Sequence, residues 1–244
     1  YSFKDKPLFL FNSNTNEFNL IADDSIIYNI KNKTKTKLLN KTNVPSILNE
    51  YKYLNIQDKT YLIHKGCGPV FEFRNDSIVR IDNSFLHLNQ LSAVVFNYNN
   101  EIYFQGGYGL FTYKNILTKF DFTSKEWALV KTKGIAPIPL SHSQHFLKNN
   151  KLYVFAGEGN EGFQNSTHLY ILDLKTLKWE EFNYSLPYIY NVDEFTFTDE
   201  NGLYIIFRDK LRIVFIDFAK NIYKEYETNN SVKIFNGNVK DNVL

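Results

Sequence analysis

One short phrase recurs five times along this 244-residue chain: a turn rich in Asn, Asp, Lys or Glu, then a strand of aromatic and aliphatic residues. The copies are Thr15-Asn16-Glu17-Phe18-Asn19-Leu20-Ile21, Asp58-Lys59-Thr60-Tyr61-Leu62-Ile63, Asn100-Glu101-Ile102-Tyr103-Phe104, Asn150-Lys151-Leu152-Tyr153-Val154-Phe155 and Asn201-Gly202-Leu203-Tyr204-Ile205-Ile206. Their aromatic anchors, Phe18, Tyr61, Tyr103, Tyr153 and Tyr204, are spaced by 43, 42, 50 and 51 residues. A period of that length holds about four short strands with their turns, and units repeated at a fixed period cover their apolar faces by stacking on one another.

A second ladder runs in register with the first. Glu72 and Ile78, Asp121 and Trp127, Asp173 and Trp179, and Asp217 and Tyr223 each place an acid six residues before a large apolar residue. The spacing predicts a hairpin in which the carboxylate caps the amides of the turn, while the apolar residue fills the wedge between neighbouring sheets.

The third and fourth copies carry a resemblance. Ile102-Tyr103-Phe104-Gln105-Gly106-Gly107, followed by Phe120-Asp121 and Trp127, resembles the kelch signature, and Ala156-Gly157 replaces the glycine pair in the next copy. Lys65-Gly66, Ala22-Asp23 and Phe207-Arg208 stand at that place in the other copies. The resemblance spans about residues 7 to 227 and is strongest over 88 to 182. It implies an all-β fold, a β-propeller of four-stranded antiparallel blades, with the small pair ending the innermost strand where a Cβ would meet neighbouring backbone. Five blades are expected, with six as the alternative. A single domain over residues 1–244 would contain repeats at about 7–40, 50–82, 88–131, 141–183 and 192–228, and 231–244 would be a closing strand or the start of a truncated blade. Each repeat is expected to lend its first strand to the preceding blade. On that plan Leu8 to Phe11 would complete the last sheet and close the ring, unless Val232 to Phe235 does so.

Composition sets further bounds. Aromatic residues make up 17% of the chain, enough for a large core of strand-forming side chains. A net charge of +2 provides no overall field toward nucleic acid or an anionic membrane, so neither nucleic-acid binding nor direct membrane insertion is expected. One cysteine, Cys67, excludes an internal disulfide and a thiolate metal cage. No methionine occurs, even at position 1. That points to a processed leader or a fragment of a longer protein, and to an extracellular or periplasmic rather than a cytoplasmic location. Six Asn-x-Ser/Thr sequons, at Asn32, Asn40, Asn75, Asn165, Asn183 and Asn229, are what a chain this rich in Asn produces by chance.

Because strand residues are committed to packing between blades, function is expected on the loops. Two are unusual: Gly107-Tyr108-Gly109-Leu110-Phe111-Thr112-Tyr113 and Glu158-Gly159-Asn160-Glu161-Gly162-Phe163-Gln164. Aromatics on glycine-rich loops suit a binding surface. Kelch adaptors, which this chain resembles, grip a partner at the mouth of the propeller shared by the a–b and c–d loops, and by spacing from the Tyr ladder the resemblance assigns contacts to Ser92, His142 and Asp193. The candidate binding set is Tyr108, Phe111, His142, Glu158, Phe163 and Arg208.

His142 and His145 lie at an odd separation, which on one strand points them to opposite faces. No metal or other cofactor is therefore expected. Galactose oxidase, of the same superfamily, needs a copper-binding Tyr and His set with a Tyr–Cys crosslink that is not recognisable in this chain. Cys67 reads as a small core filler, and Lys31, Lys33, Lys35 and Lys37 as a solvated edge interrupted by a turn. Glu158 and Glu161 lie on one loop, which fixes no separation between the two acids. The expected function is a non-catalytic binding module, the sensing or adaptor part of a longer protein, for a peptide or glycan. The alternative is a sugar-modifying enzyme resembling kelch-type sialic acid mutarotases, with His142, Glu158 and Arg208 as acid, base and anion clamp.

Overall fold

The structure, a computed structural model, describes residues 8–12, 17–22, 26–29, 32–37, 40–41, 51–74, 77–160, 162–183, 195–198, 202–207, 212–217 and 222–227. Every regular element among them is a β-strand. The chain divides into two compact units, Tyr1–Val130 and Lys131–Leu244.

Three main sheets make up the described part of the first unit. β1 (Leu8–Asn12), β2 (Glu17–Ala22), β3 (Ile26–Asn29) and β4 (Thr34–Lys37) pair antiparallel in sequence order. Next, β5 (Asn40–Lys41) joins a second sheet built from β6 (Tyr51–Ile56), β7 (Lys59–His64), β8 (Val70–Arg74) and β9 (Ser77–Arg80), where it pairs in parallel with β9. The third sheet holds β10 (Val94–Tyr98), β11 (Glu101–Gln105), β14 (Leu117–Asp121) and β15 (Glu126–Val130). Between its second and third strands stands a small hairpin, β12 (Tyr108–Gly109) and β13 (Thr112–Tyr113).

The second unit repeats the plan. β16 (Lys133–Gly134) pairs in parallel with β20 (Lys178–Asn183), which closes a sheet of β17 (Gln144–Lys148), β18 (Lys151–Gly159) and β19 (Gly162–Asp173). A last sheet comprises β21 (Phe195–Thr198), β22 (Leu203–Phe207), β23 (Arg212–Asp217) and β24 (Ile222–Glu227).

The Tyr ladder marks the second strand of each sheet, not the first. Tight turns explain why. Asn99 and Asn100 both have positive φ, 49° and 64°, as do Asn149 and Asn150, 51° and 59°. Two left-handed residues in a row make the hairpin turn whose twist matches paired strands, and asparagine tolerates that conformation. The strand before each turn is thus locked to the strand after it. This overturns the expectation that each repeat lends its first strand to the preceding sheet: β1 pairs with β2, and β21 already fills the place beside β22. Residues 231–244 lie outside the described residues.

A third ladder accompanies the first across these hairpins. Each anchor faces an apolar residue on the preceding strand: Phe11 opposite Phe18, Leu54 opposite Tyr61, Phe96 opposite Tyr103, Phe146 opposite Tyr153 and Phe197 opposite Tyr204. Phe96 and Tyr103 stack at 5.2 Å, and Phe146 and Tyr153 at 4.3 Å.

Both faces of the second sheet are buried. Tyr61 and Ile63 join Val95, Ile102, Phe104 and Phe120 of the third sheet in one cluster, while Leu62 points the other way and joins Ile21, Phe71 and Ile78. The period of two along a strand sends alternate side chains to opposite neighbours. In the second unit Phe155 and Leu169 pack against Leu203, Ile205, Val214 and Ile216.

The acid and apolar ladder does what its spacing predicts at two places. Asp121 Oδ1 accepts the amides of Thr123 at 2.7 Å and Ser124 at 3.4 Å, and Asp173 Oδ1 accepts those of Lys175 at 3.0 Å and Thr176 at 2.8 Å. Trp127 then packs edge-on to Phe104 at 4.9 Å and donates its indole N–H to Gly68 O at 2.7 Å, tying the third sheet to the second. Glu72 departs from the pattern. Its hairpin closes later, at Arg74 opposite Ser77, so Glu72 lies within β8 and pairs with Arg74 at 2.8 Å and Lys59 at 3.4 Å. In the Lys31–Lys37 stretch, β3 turns into β4 with Asn29 opposite Thr34, which breaks any continuous stripe.

Amide donors in the turns hold the carboxyls of Asp121 and Asp173 below the ordinary range, the Thr123 amide first for Asp121 and the Thr176 amide first for Asp173. A carboxylate whose folded pKa is depressed stabilises the fold above its unfolded pKa and loses that contribution as pH falls through the folded value. Asp121→Ala is therefore expected to lower the melting temperature at pH 7. The gap from wild type should shrink steadily as the pH falls below about 4, which thermal unfolding followed by circular dichroism across that range would show.

Candidate functional site

In both units the connection from the second strand to the third is a hairpin braced by the segment that enters the repeat. In the first unit Leu91 and Tyr108 exchange backbone hydrogen bonds of 2.7 and 2.9 Å. In the second, Ser141 and Glu158 do the same at 2.9 and 2.8 Å. The residue after each bridge is left-handed: Ser92 at φ 55° and His142 at φ 53°. These are two of the three positions that spacing from the Tyr ladder singles out, the third, Asp193, lying outside the described residues.

This crossing explains the small residues. A Cβ on Gly107, at φ +99°, would stand 2.7 Å from the carbonyl carbon of Gln90, and one on Gly157, at φ +133°, would stand 2.7 Å from Ser141 O. The collision is with the entering segment of the same repeat, not with crowding between sheets. Buried Gln90 completes the joint, donating Nε2 to Gly106 O at 3.0 Å and accepting Thr118 Oγ1 at 2.8 Å.

Apolar side chains dominate the loop surface of the first unit. Leu110 and Phe111 form the tip of the β12–β13 hairpin, both left-handed, at φ 51° and 62°. Phe111 is 96% exposed and Leu110 72%. Tyr108 is half-buried, its ring 4.9 Å from that of Tyr113, so it supports the hairpin rather than projecting from it. The entering segment adds exposed Phe85, Leu86, Leu88 and Leu91. It lies directly against the hairpin, since a Cβ on Gly109 would meet Asn89 Cα at 2.2 Å and Leu88 O at 2.5 Å. Cys67 belongs to the packing beneath. It is buried, and burial pushes its thiol up to about 12, so it stays protonated.

The second unit presents polar groups instead. Ser141 Oγ lies 3.0 Å from His142 Nδ1, and Glu158 Oε2 lies 3.4 Å from the same nitrogen. A serine–histidine–acid relay places its hydroxyl and carboxylate on opposite ring nitrogens. Both groups approach Nδ1 here, an arrangement suited to orienting the imidazole. Glu158 is not on a loose loop, because β18 and β19 continue past a bulge to pair Glu158 with Phe163 and Gly159 with Gly162. His142 precedes β17 and so shares no strand with His145. Among the described residues no three His, Cys, Asp or Glu side chains gather as metal ligands would. Glu161, Asp193 and Arg208 lie outside the described residues.

Tyr108 and Phe111 stand out in the sequence, and the structure adds Leu110, Phe85, Leu86 and Leu88. The dipeptide Leu110-Phe111 between two tyrosines has the look of strand interior. The signal lay in Gly107 and Gly109, which mark a chain crossing on both sides of the hairpin.

Antiparallel sheets of four consecutive strands repeated along the chain, two of them carrying a hairpin after the second strand, are those of an all-β, propeller-like repeat protein. The model of the KLHDC2/KLHL20/DRC7 Kelch-repeats domain matches residues 76–231, more than half of the chain. The chain belongs to the kelch-repeat family, whose domains serve protein–protein interaction. No curated protein sequence matches it significantly.

Gly107→Ala should cost about 2 kcal/mol of stability, from left-handed strain together with the backbone clash. Chemical denaturation with an unchanged m-value would register it, and a midpoint equal to that of wild type would refute the crossing as the reason for this glycine.

Proposed function

We propose that the chain is a non-catalytic interaction module that binds a partner protein through the loop surface of its first unit, with Phe111 and Leu110 inserted into the partner. One observation carries this reading: two large apolar side chains stand in solvent on a turn that holds both in the left-handed region. Bulky residues pay about 1 kcal/mol each for that conformation, and exposing their side chains forgoes roughly 2 kcal/mol apiece of burial. A turn selected only for folding would carry asparagine or glycine, as the Asn99-Asn100 turn of the neighbouring β10–β11 hairpin does. Phe85, Leu86, Leu88 and Leu91 add four more exposed apolar side chains on the adjoining segment.

A peptide with apolar anchor residues fits this surface better than a glycan, because polar hydroxyls would find few partners beside these side chains. In the second unit, His142 and Glu158 offer a charged and hydrogen-bonding counterpart at the equivalent hairpin. The reading includes a single propeller over residues 1–244 in which the five described sheets are blades.

The variant Leu110→Asn/Phe111→Gly separates function from fold. Its turn residues accept positive φ, so its melting temperature should equal or exceed that of wild type. Peptides selected from a random display library on the wild-type chain should bind the variant at least about tenfold more weakly, a loss of about 1.4 kcal/mol. Selected peptides that bind both proteins equally would place the interaction elsewhere.

A further inference from the structure

The fourth strand of a sheet ends it with a row of backbone N–H and C=O groups open to another strand. In two sheets the chain covers that row itself. β5 lies parallel to β9, with Asn40 opposite Ser77 and Lys41 opposite Ile78, and β16 lies parallel to β20, with Lys133 opposite Lys178 and Gly134 opposite Trp179. The second of these straps starts from the bond Lys133 N–H to Leu177 O, 2.9 Å.

The third sheet begins the same strap and then departs from it. Asn83 N–H donates to Lys125 O at 2.9 Å, and its side-chain amide donates to Ser124 O at 3.2 Å. Lys125 and Leu177 are equivalent, each the last and left-handed residue of the turn before the fourth strand, at φ 62° and 55°. Ser84 should therefore follow Asn83 onto the edge, opposite Trp127. Instead Asp82 Oδ2 accepts the Ser84 amide at 2.9 Å, and Arg80 Nη2 donates to Ser84 O. Asp82 is itself fixed, its side chain wholly buried and accepting from Val70 N–H at 2.7 Å and from Arg80 at 3.1 and 3.0 Å. Both backbone groups of Ser84 are thus committed away from β15. Among the described residues nothing pairs with β15 on the side away from β14, and Ala128 and Leu129 stand exposed, Leu129 by 62%.

We propose that this edge, Trp127–Val130, receives an extended segment of a partner protein as a fifth strand, running parallel to β15. The straps on β9 and β20 set the direction, because each is parallel to the fourth strand it covers. They also set the first residue. Gly134 opposite Trp179 sits at φ +80°, and a Cβ there would stand 2.1 Å from Trp179 O. The close approach is to backbone, so a segment that lies against Trp127 as Lys133–Gly134 lies against β20 takes glycine at that place. Beyond that residue, exposed Ala128 and Leu129 favour β-branched side chains, which pack well beside apolar neighbours across a strand pair. Main-chain hydrogen bonds supply most of the attraction in such strand addition. The proposal rests on the edge of β15 alone, and its test involves neither Leu110 nor Phe111.

The test uses the whole chain and a capped probe peptide, Gly-Val-Thr-Val-Thr, at millimolar concentration. Hydrogen exchange at the amides of Trp127 and Leu129, the alternate residues whose backbone faces the open edge, should slow about tenfold. A spin label on the amino end of the probe should broaden resonances near Trp127, whereas one on the carboxyl end should broaden those near Val130. An analogue with every backbone nitrogen methylated should leave exchange unchanged. Unchanged exchange with the probe, protection confined to other strands, equal protection by the methylated analogue, or the reverse label pattern would each overturn the proposal. Protection that instead rises with protein concentration in the absence of probe would assign the edge to self-pairing and overturn it too.

Discussion

A four-stranded sheet with apolar residues on both faces cannot be stable alone, and mutual coverage of sheet faces is the constraint on which this chain rests. The second sheet shows its form. Consecutive residues Tyr61, Leu62 and Ile63 are all buried, yet they belong to two clusters, because each points to the face opposite its neighbour. Its strands accordingly lack the alternation of apolar and polar residues found where one face meets water. Trp127 adds direction to this otherwise non-directional packing. Its ring joins the apolar cluster while its N–H reaches the carbonyl of Gly68, so the third sheet can meet the second in one register only.

With faces committed to packing and strand ends committed to tight turns, freedom is left in the hairpins after β11 and β18 and in the entering segments that brace them. There the backbone carries several non-glycine residues at positive φ: Leu110 and Phe111 on the hairpin, and Leu88, Ser92 and His142 on the entering segments. A backbone strained at one site is tolerated when the surroundings over-determine it. Here the determinants are visible, namely the exchanged bonds between Leu91 and Tyr108 and between Ser141 and Glu158, and the glycines that let the two segments touch. The rigid joint and the exposed side chains are consequences of the same crossing.

Much of this was legible in the sequence, for physical reasons that also mark its limits. Tyr61, Tyr103 and Tyr153 announced the repeat because burial between sheets demands a large side chain at one register position. Asp121 and Asp173 announced turns because a carboxylate six residues before a tryptophan has few other uses. Glu72 misled, since acid and apolar residue keep the same spacing in a hairpin that closes two residues later. The strand order misled for another reason: periodicity counts strands but does not say with which neighbour a strand begins, and that was decided by pairs of asparagines in the left-handed conformation. The straps were invisible, because Asn40-Lys41 and Lys133-Gly134 are two-residue elements without a hydrophobic pattern.

The straps nonetheless complete the logic of the fold. Stacking solves the problem of sheet faces and leaves the problem of sheet edges, which grows with every repeat added. Two of the described edges are solved with the chain segment already present between repeats, at no cost in length. The third differs by one side chain. Asp82 folds Ser84 back onto its own turn, and the carboxylate that stabilises the joint between β8 and the following segment thereby withholds the strand that would have covered β15. A buried aspartate held by an arginine and two backbone amides is a stable local solution, against which one more pair of edge hydrogen bonds would return about 1 kcal/mol each. Local satisfaction of one buried charge thus leaves the β15 edge open among the described residues.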